Sequence, residues 1–355
     1  MANEQKINVL HVDTGKDWRG GQRQVLSLHM SLLKNGISSH LCCHERGKLL
    51  KMALDQKVNN IHAINFKGAL SIKTHLDFSN ICKKVKPNII NFHDSHSLSL
   101  GIFIKKNAKL IATRRVSYPI NLLSRYTKYK VIDLHIAVSN EIKNYLSNFY
   151  NQVICINSCI DLKRFKIKKR ELFDKDNINL LYVGAFSEQK GLDILLPAFQ
   201  KISLTNNKIF LHLVGEGHLL NWAKQEVDKL NLQFVTKFYG SKRNIEDFYL
   251  SSDIVICPST SGEGSSGVIK EALAAGKITI ASDLECNKEI IENNYNGFLF
   301  ENRNANKLYL KIKESIDGKS ELKKLNLEKS IEKFSCTEQT KKYIKTYKEI
   351  LCGTI

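Results

Sequence analysis

The sequence predicts an α/β protein built from two doubly wound domains, each with a parallel sheet. Three observations predict it. The chain has 355 residues, too many for one ordinary core and well suited to two. Short apolar runs alternate with amphipathic stretches, the pattern that builds a parallel sheet covered by helices. The pattern then restarts after a charge-rich stretch, residues 161–176, which reads as an interdomain linker.

In the first half, residues 6–12, 37–43, 87–93, 109–115, 133–138 and 153–156 read as strands. Between the first two lies Trp18-Arg-Gly20-Gly21, a tight loop, followed by an amphipathic helix that Gly36 closes. The loop is not Gly-x-Gly-x-x-Gly, so a dinucleotide fingerprint is unsupported. In the second half, residues 179–183, 209–214, 253–257 and 279–283 read as strands, with Gly184-Ala-Phe-Ser-Glu-Gln-Lys190-Gly191 after the first of them. Phe238-Tyr-Gly-Ser-Lys242 precedes a further helix, and residues 307–351 are mostly helical. Ligands on such sheets sit at the carboxyl ends of strands. His93, Arg114 and Arg115 all fall there. By that placement His93 is a candidate ligand contact, and the two arginines are candidates for a phosphate or another charged group.

Composition narrows the class. The hydrophobic share, 43%, is ordinary for a soluble protein, and no apolar run approaches a membrane span. Met1 to Lys6 leads straight into a strand, so no signal peptide is expected. Nine scattered cysteines without a Cys-x-x-Cys pair read as reduced core residues of a cytosolic protein. The net charge of +19 is lopsided. Residues 1–170 carry 29 Lys and Arg against 10 Asp and Glu, whereas residues 171–355 carry 25 of each. Such asymmetry points to an anionic partner for the first half. Adjacent basic residues occur at Lys83-Lys84, Lys105-Lys106, Arg114-Arg115 and Lys168-Lys169-Arg170, which suits an anionic membrane surface. No recognised nucleic-acid module appears, so nucleic acid is not the expected partner.

The most informative stretch is Cys257-Pro-Ser-Thr-Ser-Gly-Glu263-Gly264-Ser265-Ser266-Gly-Val-Ile-Lys-Glu271-Ala-Leu-Ala-Ala-Gly276. A buried strand runs into a Ser/Gly/Glu loop, and a helix opens after it with Ser265 or Ser266 as its cap. Gly276 stops that helix. A helix N-terminus behind glycines offers unpaired N–H groups to a diphosphate. Glu263 and Glu271 bracket the site, roughly 10 Å apart from the helical rise plus the loop. One acid then serves the reacting end of a long ligand and the other its far end. Lys190 reaches a diphosphate as a point charge. Asp174-Lys-Asp176 spells a metal-binding Asp-x-Asp, but in a polar linker rather than at a strand end, and no metal or other cofactor is expected.

This stretch resembles the Glu-x7-Glu motif of retaining glycosyltransferases of family 4. Further landmarks fall in that family's order over nearly the whole chain: Gly20-Gly21, His93, residues 156–161, Gly184 to Gly191, Gly215 to Gly217, residues 238–240 and Asn296-Gly297. The resemblance implies the GT-B fold, two Rossmann-like domains facing across a cleft. It implies a basic acceptor-side domain at residues 1–170, to which a final helix at 339–355 crosses back, and a nucleotide-sugar domain at 171–338. It implies catalytic roles for His93 and Glu263. Donor contacts are implied for Gly20, Gly21, Gly184, Lys190, Lys242, Gly264, Ser265, Ser266 and Glu271.

The chain departs from the family in three places. Ala185 stands where the family has Arg, and Lys242, Arg243 and Arg114 are the candidates to replace it. Asn157-Ser-Cys-Ile-Asp161 replaces Pro-x-Gly-Ile-Asp, which strains Cys159 if the turn needs a positive φ. Ser265-Ser266 replaces the commoner Phe-Gly. The reading is a metal-independent, retaining transferase that moves sugar from a nucleotide-diphosphate sugar to a membrane-associated glycan or glycolipid, at the inner face of the cell membrane. The rivals are a nucleotide-sugar epimerase, a sugar phosphorylase, or a nucleic-acid-binding protein.

Overall fold

The computed structural model describes residues 6–104, 108–166, 170–318 and 327–355. Lys105, Lys106, Lys168 and Lys169 of the basic clusters lie outside them. The chain divides into two compact units, residues 1–159 with 336–355, and residues 160–335.

Unit 1 holds strands β1 (Asn8–Asp13), β2 (Ser38–His44), β3 (Ile61–Ile64), β4 (Ile89–Phe92), β5 (Lys109–Arg114), β6 (Leu134–Ala137) and β7 (Val153–Cys155). They form one sheet in the order β3-β2-β1-β4-β5-β6-β7, with every pairing parallel. Alternate residues feed opposite faces, as the strand period of two requires. Leu10 and Val12 join Phe78, Leu98 and Ile142 on one face, while Val9 joins Leu28, Leu32, Tyr343 and Tyr347 on the other. The closing helix Cys336–Cys352 therefore belongs to unit 1, and its Tyr347 hydroxyl accepts from Asn91 Nδ2 at 2.9 Å.

Unit 2 holds β8 (Ile178–Val183), β9 (Ile209–Val214), β10 (Thr236–Phe238), β11 (Ile254–Cys257), β12 (Ile278–Ser282) and β13 (Phe298–Phe300). Their order is β10-β9-β8-β11-β12-β13, again wholly parallel. Leu180 and Tyr182 pack one face with helices Leu192–Ser203 and Ala305–Asp317. Leu181 packs the other with helix Gly267–Ala274. Both units are thus doubly wound α/β layers, as the alternation predicts.

Two boundaries differ from the expectation. The chain leaves unit 1 after Cys159, not at residue 170, and returns at Cys336, not at 339. The charge-rich stretch is no bare linker, because Phe165 and Phe173 anchor it in the core of unit 2. Phe173 stacks on His212 with ring centroids 3.6 Å apart. Counted by observed units, unit 1 carries 27 Lys and Arg against 11 Asp and Glu, and unit 2 carries 27 against 24. The excess is therefore +16 and +3, still concentrated in the first unit.

Candidate functional site

Each sheet reverses its strand order once, and the functional candidates gather at those reversals. In unit 2 the reversal lies between β8 and β11. Ligands on open parallel sheets bind in the crevice beyond the strand ends at such a point. The loop after β8 carries Gly184 and Lys190, and the loop after β11 carries Glu263 to Ser266.

The two loops are joined. Thr260 N donates to Gln189 O at 2.8 Å. Gly191 sits at φ +69°, and a Cβ there would meet Pro258 O at 2.0 Å, so only glycine allows this approach. Across the junction Lys190 Nζ donates to Glu263 Oε1 at 2.5 Å, and Ser259 Oγ donates to the same oxygen at 2.8 Å. Both side chains are largely shielded, Lys190 at 22% exposed and Glu263 at 14%. Their charge–charge attraction is therefore screened less than on a surface.

Behind them the helix Gly267–Ala274 opens with Ser266 as its cap, whose Oγ accepts from Ile269 N at 3.4 Å. Gly264 is buried in the loop. Gly276 lies just past the helix at φ +69°, as its sequence position predicts. Ser265 Oγ accepts from Lys270 Nζ at 2.6 Å, and Lys270 is buried, its ammonium 4.8 Å from the Phe334 ring centroid.

Glu271 is 8% exposed and held on both oxygens. Tyr249 donates its hydroxyl to Oε2 at 2.9 Å, and Arg164 Nη1 donates to Oε1 at 3.5 Å. Arg164 also donates through Nε to Glu246 Oε1 at 2.5 Å. Burial pulls the Arg164 pKa down, but Glu271 and Glu246 outweigh it and the net direction is up.

In unit 1 the reversal lies between β1 and β4. His93 follows β4 and is 6% exposed. Its Nδ1 lies 3.3 Å from Arg115 Nη2, and its Nε2 lies 2.9 Å from His11 Nδ1. A guanidinium only donates. Nδ1 of His93 must then accept, so its proton sits on Nε2 and is given to His11. Both rings are held neutral, their pKa values pushed well down, first by burial. Asp13 ends β1 and accepts from Gly15 N at 2.9 Å and from Gln22 Nε2 at 3.1 Å. Burial, then the charge of Asp94, raises its pKa to about 6. Asp94 accepts from Thr14 N at 2.7 Å and from His96 N at 2.8 Å.

The two arginines part company. Arg114 is buried, its Nη1 donating to Tyr129 Oη at 3.0 Å and its Nη2 to Tyr118 O, while its Nε is buried without a hydrogen-bond partner among the described residues. Arg115 stays beside the Gly-Gly loop, its Cδ 3.6 Å from where a Cβ on Gly21 would lie. Arg115 Nε and Nη1 are buried without a hydrogen-bond partner among the described residues. Gly20 and Gly21 open the helix Gly20–Lys34, and nothing lies within 4 Å of a Cβ built on Gly20.

Other candidates fall elsewhere. Lys242 is exposed in the loop after β10, two strands from the unit 2 reversal. Asp174 Oδ1 caps its own turn by accepting from Asp176 N at 3.0 Å. Cys159 is not among the residues with positive φ, so the altered turn is unstrained there. Sequence reading missed Arg164, Tyr249 and Lys270 in unit 2, and His11, Asp13 and Asp94 in unit 1. Asp13 and Asp94 stand at strand ends, where the switch-point rule would have found them, whereas His11 lies inside β1.

Residues 163–332 match the family Glycosyl transferases group 1, and residues 18–164 match Glycosyltransferase Family 4. An uncharacterized glycosyltransferase of Methanocaldococcus jannaschii is 33% identical over 303 residues, covering 81% of this chain and 77% of its own. This chain belongs to glycosyltransferase family 4. The transferase is also 24% identical over 333 residues to the Escherichia coli UDP-Gal:alpha-D-GlcNAc-diphosphoundecaprenol alpha-1,3-galactosyltransferase, covering 84% of this chain and 85% of that one. Its fold superposes on Anabaena HepE, solved in complex with UDP-glucose, with a TM-score of 0.82 at 17% identity. That likeness covers 96% of the transferase and 99% of HepE.

Proposed function

We propose that this transferase moves a sugar, with retention at the anomeric carbon and without a metal, from a nucleotide-diphosphate sugar to a membrane-associated glycan or glycolipid. The observation that carries the reading is the Lys190–Glu263 pair at the unit 2 reversal, with Glu271 held on Tyr249 and Arg164 further along the same helix. Glu271 takes the ribose hydroxyls. The diphosphate lies at the N-terminus of helix Gly267–Ala274, where backbone N–H groups and Lys190 meet the charge that grows as the sugar leaves. The acceptor hydroxyl attacks on the leaving group's own face, and its proton passes to the departing diphosphate oxygen. Glu263 and His93 orient the sugar. Arg115, with two buried nitrogens unsatisfied beside Gly21, takes a phosphate or a charged group of the acceptor.

The relative from Escherichia coli acts on a diphosphoundecaprenol-linked sugar, and HepE binds UDP-glucose. Both support a nucleotide-sugar donor, and the first supports a lipid-linked acceptor. The surface of unit 1 supports attachment at the inner face of the cell membrane. Leu70, Ile72, Phe103, Leu122, Leu123 and Tyr126 are each more than 60% exposed, and Lys73 and Lys130, close to some of them in sequence, are exposed too. No helix among the described residues is long and apolar enough to cross a membrane.

A thermal-shift screen over nucleotides and nucleotide sugars identifies the donor, and transfer is then followed with EDTA present. The expected result is a shift for one nucleoside diphosphate and its sugar, undiminished transfer in EDTA, and a product with the donor's anomeric configuration. Inversion, or activity lost in EDTA and restored by Mn²⁺, would overturn the reading. Turnover of the donor with no acceptor present would favour an epimerase.

A further inference from the structure

Two thiols far apart in sequence meet where the backbone passes between the units. The chain leaves unit 1 after Cys159 and re-enters it at Cys336. On the far side of both crossings, Ile160 and Ser335 form a parallel bridge, and Ile160 N donates to Phe334 O at 2.8 Å. On the near side, Cys159 Sγ and Cys336 Sγ lie 2.6 Å apart. The surrounding backbone is pinned. Cys159 N donates to Gln24 Oε1 at 2.9 Å, Cys159 O accepts from Gln24 Nε2 at 2.7 Å, and Gln339 Nε2 donates to Asn157 O at 2.8 Å. Ser27 Oγ lies 3.4 Å from Cys336 Sγ. Joining the sulfurs therefore requires little movement of the chain.

The two cysteines differ in a useful way. Cys336 is the more exposed, and it opens the helix Cys336–Cys352. Cys159 is buried beside it. This is the arrangement of an attacking thiol with a resolving partner.

We propose that Cys159 and Cys336 form a redox modification site whose oxidant is a low-molecular-weight disulfide of the glutathione class. The Cys336 thiolate attacks one sulfur of the oxidant, the oxidant's S–S bond breaks, and one glutathione leaves as a thiolate that takes up the proton Cys336 gave up. Cys159 then loses its proton and attacks Cys336 Sγ. The protein disulfide forms and the second glutathione leaves. The protein loses two hydrogens, and the oxidant gains them as two thiols. The cross-link encloses residues 160–335, the whole of unit 2, in one covalent loop. Closing so long a loop restricts the unfolded chain.

The test equilibrates the full-length protein in glutathione buffers of rising oxidised share, quenches by alkylation and digests without reductant. The expected product is a peptide pair joining Cys159 to Cys336, two hydrogens lighter than the two thiol peptides. The oxidised protein should unfold several degrees above the reduced one, and dithiothreitol should reverse the shift. Cys336→Ser and Cys159→Ser should each unfold at one temperature in both buffers. Glutathione left on Cys336 with no linked pair would overturn the proposal. So would a linked pair between other cysteines, or a buffer-dependent shift persisting in Cys336→Ser. If a serine variant fails to fold, the peptide map of the unsubstituted protein decides.

Discussion

Glu271 shows how much of a residue's role depends on partners that sequence spacing does not reveal. Its position eight residues after Glu263 was legible, because the loop, cap and helix between them are local. The hydroxyl of Tyr249 and the guanidinium of Arg164 reach it from other elements, and only folding brings them together. Those contacts fix the carboxylate, which in the proposed reading takes the ribose. Glu271→Ala should therefore weaken nucleotide binding by about 1–3 kcal/mol, the scale of a charged hydrogen bond. Tyr249→Phe should weaken it by less than about tenfold, since Arg164 still orients the acid. Calorimetric titration of both variants checks this, and unchanged affinity in Glu271→Ala would remove the ribose assignment. Lys270 illegibly departs from habit: lysine is rarely buried, yet here it braces Ser265 from beneath the loop.

At the scale of elements, long alternating apolar runs made most strands readable. The strand β3 was missed because its four residues, Ile61-His-Ala-Ile64, sit at a sheet edge and only Ile64 is buried. The boundary near residue 170 was misplaced for a related reason. Charge dominates residues 161–176, but Phe165 and Phe173 bind that stretch into unit 2. The elements also bury histidines. His29, on the helix Gly20–Lys34, His135 on β6 and His212 on β9 each have a pKa lowered to about 4, chiefly by burial. Between that value and the ordinary 6.5 the unfolded chain binds protons that the folded chain does not, so stability rises with pH there. Their contribution is full above about pH 6.5 and is lost as pH falls toward 4. Asp13 acts oppositely, since its raised pKa favours the fold at low pH and that advantage is gone above about 6. Three histidines outweigh one carboxyl. The thermal midpoint should fall by several degrees from pH 7 to pH 5, and His212→Asn should flatten that slope. A profile that is level or rising toward acid would contradict the burial argument.

For the whole molecule, the charge division survives the corrected boundary, with +16 on the first unit and +3 on the second. A basic side chain near an anionic leaflet contributes about 1 kcal/mol, so three or four suffice for reversible attachment. In the proposed attachment, exposed apolar residues such as Leu122 and Leu123 would add insertion to attraction. The protein should sediment with anionic liposomes at low salt, much less at high salt, and little with neutral ones. Equal binding to both lipids would rule out electrostatic attachment. The fold and the loops after β8 and β11 were legible because they follow from local pattern and spacing, whereas the neutral His11–His93 pair and the Arg115 contact needed three strands brought together. The central claim is that the Glu263 loop handles the sugar at the moment of transfer. Its most direct test is the transfer rate of Glu263→Ala with the identified donor, alongside its thermal midpoint and nucleotide affinity. We expect loss of transfer with fold and nucleotide binding retained, and full transfer by a folded Glu263→Ala would exclude that role for the loop.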